Sequence, residues 1–192
     1  FYDPGTAGHL KRVSACANHM ASVAGCDPKF VRWLRRCSQM HDVGKITIPI
    51  GITRKAGPLT SGERAVMEKH TVHGAQILGS SPHLAMARQI ALSHHENYDG
   101  TGYPDGKRGD EIPLEARIVK VVDIYDALRA PRSYKRGLSH EAALETLRRG
   151  DGRTRPEHLD PSILAAFLDE HRQIMEIHEL YTEAAFLEDA KE

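Results

Sequence analysis

The 192-residue sequence predicts an all-α fold. Three observations carry that prediction. Apolar residues recur at helical spacing over most of the chain, and the alternation of a half-buried strand is weak. Helix-start signals recur: Asp27-Pro28 and Asp160-Pro161 each place a capping side chain before a proline, and Thr60 to Glu63 reads as a capping box. Hydrophobic residues make up 40% and charged residues 27%, the balance of a globular chain able to bury a sizeable core.

Formal net charge is zero, which argues against electrostatic binding to a nucleic acid polymer or a membrane surface. No apolar run approaches the ~20 residues of a membrane span, and no signal peptide is visible. Cys16, Cys26 and Cys37 form no CxxC pair and are odd in number, so we read them as reduced core residues of a cytoplasmic protein. The chain opens at Phe1 without an initiator methionine. We expect one domain over residues 1–192, excised from a longer multidomain protein.

In chain order, Thr6 to Ala24 reads as the first helix, with His9, Val13, Cys16, Met20 and Val23 on one stripe and Gly25 as its stop. A second helix starts at Asp27-Pro28. Phe30, Leu34, Cys37 and His41 fall on its apolar face, so His41 and Asp42 are expected at its end, with Gly44 terminating it. Pro49, Gly51, Gly57 and Pro58 make Ile46 to Leu59 a connecting loop. The helix opened by Thr60 carries Val66, Met67, His70, Gly74, Ile77 and Leu78 on one face, with His73 read as merely packed.

Ser81-Pro82 starts the next helix, where Ala87, Ile90, Ala91 and His94 share a stripe. His95 follows directly, so two imidazoles project roughly 100° apart. Glu96 to Gly106 holds three glycines, a proline and acidic residues, the composition of a structured loop. Pro113 begins a helix from about Leu114 to Arg129. It is apolar on two faces, which sets Asp123 on a face without obvious solvent, with Asp126 one turn on. Helices near 139–149 and 160–180 complete the bundle. His140, His158, His171 and His178 are read as surface residues, and the tail after Tyr181 is uninformative.

Any one inward histidine is most simply a satisfied core residue. Five of them (His9, His41, His70, His94 and His95), with Asp42 and Asp123 and no cysteine, point to a nitrogen/oxygen metal site. Seven ligands exceed one tetrahedral ion and fit two ions that share a carboxylate, for which Asp42 is central. Such a pair acidifies water and clamps a phosphoryl group for in-line attack. Lys45 is placed to neutralise a phosphate oxygen. Arg132 and Lys135 could bind a second phosphate. Spacing supports a metal-dependent phosphohydrolase and does not name its substrate.

These residues resemble the HD superfamily of metal-dependent phosphohydrolases. His94 to Pro104, reading His-His-Glu-Asn-Tyr-Asp-Gly-Thr-Gly-Tyr-Pro, is similar to the signature of its HD-GYP branch. The segments Leu59 to His70, Ala116 to Val119, Asp123 to Leu128, Arg132 to Lys135 and Leu159 to Pro161 match that branch too. The resemblance runs from about residue 6 to 168 and leaves 169–192 as a C-terminal helix and tail. It implies an HD-domain helical bundle with a metal site in its core. It also implies hydrolysis of cyclic di-GMP to pGpG, and often onward to GMP, with iron or manganese. It assigns His9, His41, Asp42 and Asp123 to one metal, and Asp42, His70, His94 and His95 to the other. Lys45 would contact the scissile phosphate, with Arg132 and Lys135 on the dinucleotide's phosphates and Tyr103 near the substrate. The Gly102-Tyr103-Pro104 loop is also implied as a docking surface for diguanylate cyclase domains.

One departure bears on the metals. The family often carries Glu-Thr-Gly-x-His before its first histidine, and Gly5 stands in the glutamate's place here. That implies two metals rather than three, unless Asp3 or Asp126 substitutes, and puts complete conversion to GMP in question. Asn97 also replaces the usual arginine. Two other readings compete: a cyclic-dinucleotide sensor or interaction module without turnover, and a phosphohydrolase for another cyclic dinucleotide.

Overall fold

A computed structural model describes residues 4–130 and 137–189 of the chain. Among the described residues every regular element is helical. The expected punctuation sets most boundaries. α1 spans Pro4–Val23. α2 spans Pro28–Cys37, with the Asp27 carboxylate accepting from the Lys29 N–H. The Ile46–Leu59 connection holds a short helix, α3 (Ile50–Thr53). α4 (Ser61–Glu68) opens on the expected capping box: Thr60 Oγ1 accepts from the Glu63 N–H at 3.3 Å, and Glu63 Oε2 accepts from the Thr60 N–H at 2.7 Å. α5 (His70–Leu78) follows after a break at Lys69. α6 covers Ala85–Ser93 and α7 Leu114–Arg129. α8 (His140–Arg149) is capped by Ser139. α9 (Pro161–Asp169) is capped by Asp160, which accepts from Ser162 and Ile163. α10 (His171–Asp189) runs past the point where the sequence pattern fades.

α1 and α7 form the centre. α1 packs against α2, α7 and α10, and α7 also meets α6, α8 and α9. Val13, Met20, Leu34, Ile90, Ile118, Tyr125, Phe167 and Ile174 are buried there. Each such aliphatic or aromatic side chain contributes about 1.5–3 kcal/mol of transfer free energy. As expected, α7 is buried around most of its circumference, because helices cover it on several sides. Ile77 departs from its expected face and is exposed.

The largest departure concerns the second helix. α2 ends at Cys37 and tightens into 3₁₀ turns over Ser38–Met40 and Val43–Thr47, with His41 and Asp42 between them. Gly44 is therefore no helix stop. It lies against α5 so closely that a Cβ would overlap the His70 carbonyl oxygen and come within 2.5 Å of the Gly74 nitrogen. The pattern through Cys37 and His41 fits an α-helix equally well; backbone contact with α5 decides the conformation.

Candidate metal centre

Four helices and one turn deliver the predicted ligands to one place. His9 comes from α1, His70 from the first turn of α5, and Asp123 from α7. His94 and His95 follow the last turn of α6, and His41 and Asp42 occupy the turn between the 3₁₀ segments. Ligand atoms of Asp42, His70, His94 and His95 lie within 4.8 Å of one another, as do those of His9, His41 and Asp42. Asp42 belongs to both groups. Its Oδ2 is 3.4 Å from His41 Nε2, and its Oδ1 is 3.4 Å from His70 Nε2 and 3.7 Å from His94 Nε2. Asp123 Oδ1 joins the first group at 3.5 Å from His9 Nε2 and 3.7 Å from His41 Nε2. Asp123 is partly exposed, so it opens onto the site rather than into a dry core.

The imidazoles are aimed by the backbone. Nδ1 of His41 lies 2.8 Å from the Ser38 carbonyl, Nδ1 of His70 is 2.7 Å from that of Met67, and Nδ1 of His94 is 3.0 Å from that of Ile90. A carbonyl only accepts, so each Nδ1 donates and each Nε2 turns toward Asp42. His9 is aimed differently: its Nδ1 donates to Asp126 Oδ2 at 2.8 Å. Arg12 grips the same carboxylate, Nε to Oδ1 at 2.6 Å and Nη2 to Oδ2 at 3.0 Å, and His178 Nε2 lies 3.2 Å from Oδ1. Burial opposes charge on Asp126, but His178, His9 and Arg12 hold it far below the usual carboxylate range. Asp126 is thus fully engaged in orienting His9, which weighs against its serving as the substitute ligand. Asp3 lies outside the described residues.

The group fits a metal. Asp42 Oδ1, His70 Nε2 and His94 Nε2 are buried without a hydrogen-bond partner. Three orphaned acceptors around one point are costly unless a cation completes them. Electrostatics agree. Burial opposes charge on Asp42, yet His41 and Lys45 hold its carboxyl well below the usual range. Burial also opposes charge on His41, but Asp42 and Asp123 raise it to about 9. Burial pushes His70 down to about 4, and burial with His94 lowers His95. His70 and His95 thus stand in the neutral state that divalent metals need of an imidazole, whereas His41 would have to give up its proton to a metal.

Around this centre, the Lys45 ammonium donates to Asp42 Oδ2. Tyr103 stacks on His95, with ring centroids 4.9 Å apart and planes at 23°. Gly102 lies against the backbone of Glu96 and Asn97, where a Cβ would overlap. Gly102, Tyr103 and Pro104 are all half-buried. Arg132 and Lys135 fall outside the described residues. Sequence reasoning missed Glu96 as a fully buried carboxylate that accepts the N–H groups of Asp105 and Lys107 and so folds the loop back. It missed the buried Lys120 too, which burial pushes down to about 8.

Two histidines read as surface residues are buried. His140 lies 2.8 Å from the Tyr125 hydroxyl and 3.0 Å from His171, and His178, on α10, lies beside Asp126. Ile174 and His178, one turn apart and both buried, carried the signal for the second. His158 and His171 are half-buried.

Residues 2–163 match the HD domain family. The chain belongs to that family. Among similar HD proteins, a cyclic di-GMP phosphodiesterase response regulator, RpfG, of Xanthomonas campestris pv. campestris is 40% identical over 92% of this chain and 46% of its own length. A 3'3'-cGAMP-specific phosphodiesterase 2 of Vibrio cholerae is 37% identical over 85% of this chain and 31% of its own length. The chain thus spans less than half of either relative. The solved structure of Bd1817, an HDG"Y"P protein from Bdellovibrio bacteriovorus, superposes with a TM-score of 0.69 at 23% identity. It covers 88% of this chain and 51% of that one, a likeness of fold. No helix among the described residues is long and apolar enough to cross a membrane.

Proposed function

We propose that the chain is a metal-dependent phosphodiesterase that hydrolyses cyclic di-GMP to pGpG. The observation that carries this reading is Asp42, whose two oxygens face two separate histidine groups. His9, His41, Asp42 and Asp123 would hold one divalent ion, and Asp42, His70, His94 and His95 the other. Iron or manganese suits this set of imidazoles and carboxylates. Bound there, the two ions would supply Lewis-acid chemistry, acidifying water and neutralising phosphoryl charge.

The protein's own part is orientation and charge. Three backbone carbonyls and Asp126 fix the imidazoles before anything binds, which lowers the reorganisation needed at reaction. Lys45, tied to Asp42 and otherwise exposed, meets the scissile phosphate and steadies charge on its oxygens. Tyr103 walls the pocket against His95, with Arg132 and Lys135 on the dinucleotide's phosphates. A diguanylate cyclase domain would dock on the exposed flanks of the loop at Thr101, Asp105 and Gly106. The site lies in a domain of the cytoplasm, where a nucleotide messenger is met.

A second substrate has its own support, since a relative at 37% identity is named for 3'3'-cGAMP. The test is anaerobic purification with metal quantification, then turnover of cyclic di-GMP and 3'3'-cGAMP with products resolved. We expect two ions per chain and accumulating pGpG. Tight dinucleotide binding without turnover in metal-loaded protein would replace the enzyme with a sensor.

A further inference from the structure

Lys45 leaves the 3₁₀ turn Val43–Thr47. Gly44 anchors the start of that turn by backbone contact with His70 and Gly74, and Ile48, just past its end, is buried. Between these anchors a side chain adds a tie. Thr47 Oγ1 lies 2.8 Å from the Gly44 carbonyl oxygen and 2.7 Å from His73 Nδ1. A hydroxyl has one proton, and a carbonyl only accepts. That proton therefore goes to Gly44, and the hydroxyl oxygen accepts from the His73 Nδ1–H. The imidazolium also carries a proton on Nδ1, so the tie survives charging of His73.

The carbonyl that Thr47 grips belongs to the planar peptide joining Gly44 to Lys45. The tilt of that plane sets the direction in which the Lys45 side chain leaves the backbone. Ile46, the next residue, is 63% exposed, so packing of its side chain does not hold the peptide. His73 stands three residues after His70 on α5. One helix thus carries a candidate metal ligand and, from its next residues, the donor that ties down the turn bearing Lys45. The sequence reading of His73 as merely packed misses this contact.

We propose that Thr47 and His73 are positioning residues for Lys45, fixing the Gly44–Lys45 peptide so that the ammonium meets a phosphate oxygen at the metal centre. This rests on the phosphodiesterase reading for the partner of Lys45, and on the two contacts of the Thr47 hydroxyl for its orientation.

The test is a double-mutant cycle on metal-loaded protein. Inorganic phosphate is the calorimetric probe, and metal content and thermal melting are read on each variant. T47V keeps the shape of threonine without the hydroxyl, and H73A removes the donor. Each should bind phosphate about fivefold more weakly, a coupling of ordinary size for residues in contact. Metal content and melting should stay near wild type, because an exposed hydrogen bond adds little to stability. T47S and H73N keep a hydroxyl and a donor, and should recover most of the affinity. In K45A, with no ammonium left to aim, T47V and H73A should change nothing further. Wild-type affinity in T47V and H73A overturns the proposal. So does an equal loss in the K45A background, because a merely structural tie acts whether or not the lysine is present. Phosphate affinity that K45A itself leaves unchanged overturns it as well. If T47V does not fold, H73A decides on the same readings, and failure of both to fold assigns the pair to the fold and overturns the proposal. Cyclic di-GMP turnover by wild type is measured alongside. A wild type without turnover sinks the phosphodiesterase reading and leaves the phosphate cycle to decide Thr47 and His73.

Discussion

His9 Nδ1 lies 2.8 Å from Asp126 Oδ2, and Nε2 of the same ring lies 3.3 Å from His41 Nε2. One imidazole thus couples the buried Arg12–Asp126–His178 group to the metal-ligand cluster. Asp126→Asn should weaken the His9 group's metal affinity by about 10–100-fold, the usual effect of removing a carboxylate behind a ligating histidine. It should also cost about 3–5 kcal/mol of stability, because Arg12 is left buried beside a neutral amide. Metal titration and denaturant melts read both. Unchanged metal affinity would remove Asp126 from this role.

Gly44→Ala should destabilise the chain by about 1–3 kcal/mol or more, since the added methyl meets the backbone of His70 and Gly74, which cannot rotate away. Gly51→Ala is the control, because nothing lies within 4 Å of a Cβ there. The two variants are compared by chemical denaturation. Equal melting would show that the close crossing of the Gly44 turn and α5 is dispensable.

Asp42→Ala should lose both ions and all turnover, because it removes the carboxylate common to both groups. Lys45→Ala should keep the metals and lower turnover. Elemental analysis beside the activity assay separates the two outcomes. Two retained ions in the Asp42 variant would refute the ligand assignment.

pH should act on the metal-free protein in opposite senses through two histidines. His70 is pushed by burial from its ordinary 6.5 to about 4. Between those values the unfolded chain binds more protons, so this contribution to stability rises with pH and is lost on acidification. For His41, Asp42 and Asp123 outweigh burial and raise it to about 9. Its contribution is complete below the unfolded value of about 6.5 and fades as pH climbs through about 9. Metal uptake near pH 7.5 should therefore expel a proton from His41, and the release should vanish well above pH 9. Calorimetry in buffers of different ionisation enthalpy measures it. Buffer-independent heats at pH 7.5 would contradict the raised value.

Local chemistry made much of this legible in advance. Asp27, Thr60 and Asp160 cap the helices they were expected to cap, because a capping side chain and the N–H groups it serves are close in sequence. The seven candidate ligands stood out as polar residues beside apolar stripes, and their side chains do converge. What escaped depends on distant partners. The 3₁₀ turns around His41 are set by contact with α5, and the burial of His178 by α10 packing on α1. Glu96 looks like an ordinary surface residue until the loop it opens folds back so that Asp105 and Lys107 donate to it. Ile77 shows the reverse, an apolar residue in register that is left exposed among the described residues.

The position of Asp42 has a practical corollary. The residues around it come from near the start of the chain, from its middle, and from α7, and neither group is complete without a contribution from afar. One group draws on residues 9 to 123 and the other on residues 42 to 95, so each needs several helices packed together. On the proposed ligand assignment, substoichiometric ion loading in a fresh sample would diagnose incomplete folding before any assay of catalysis.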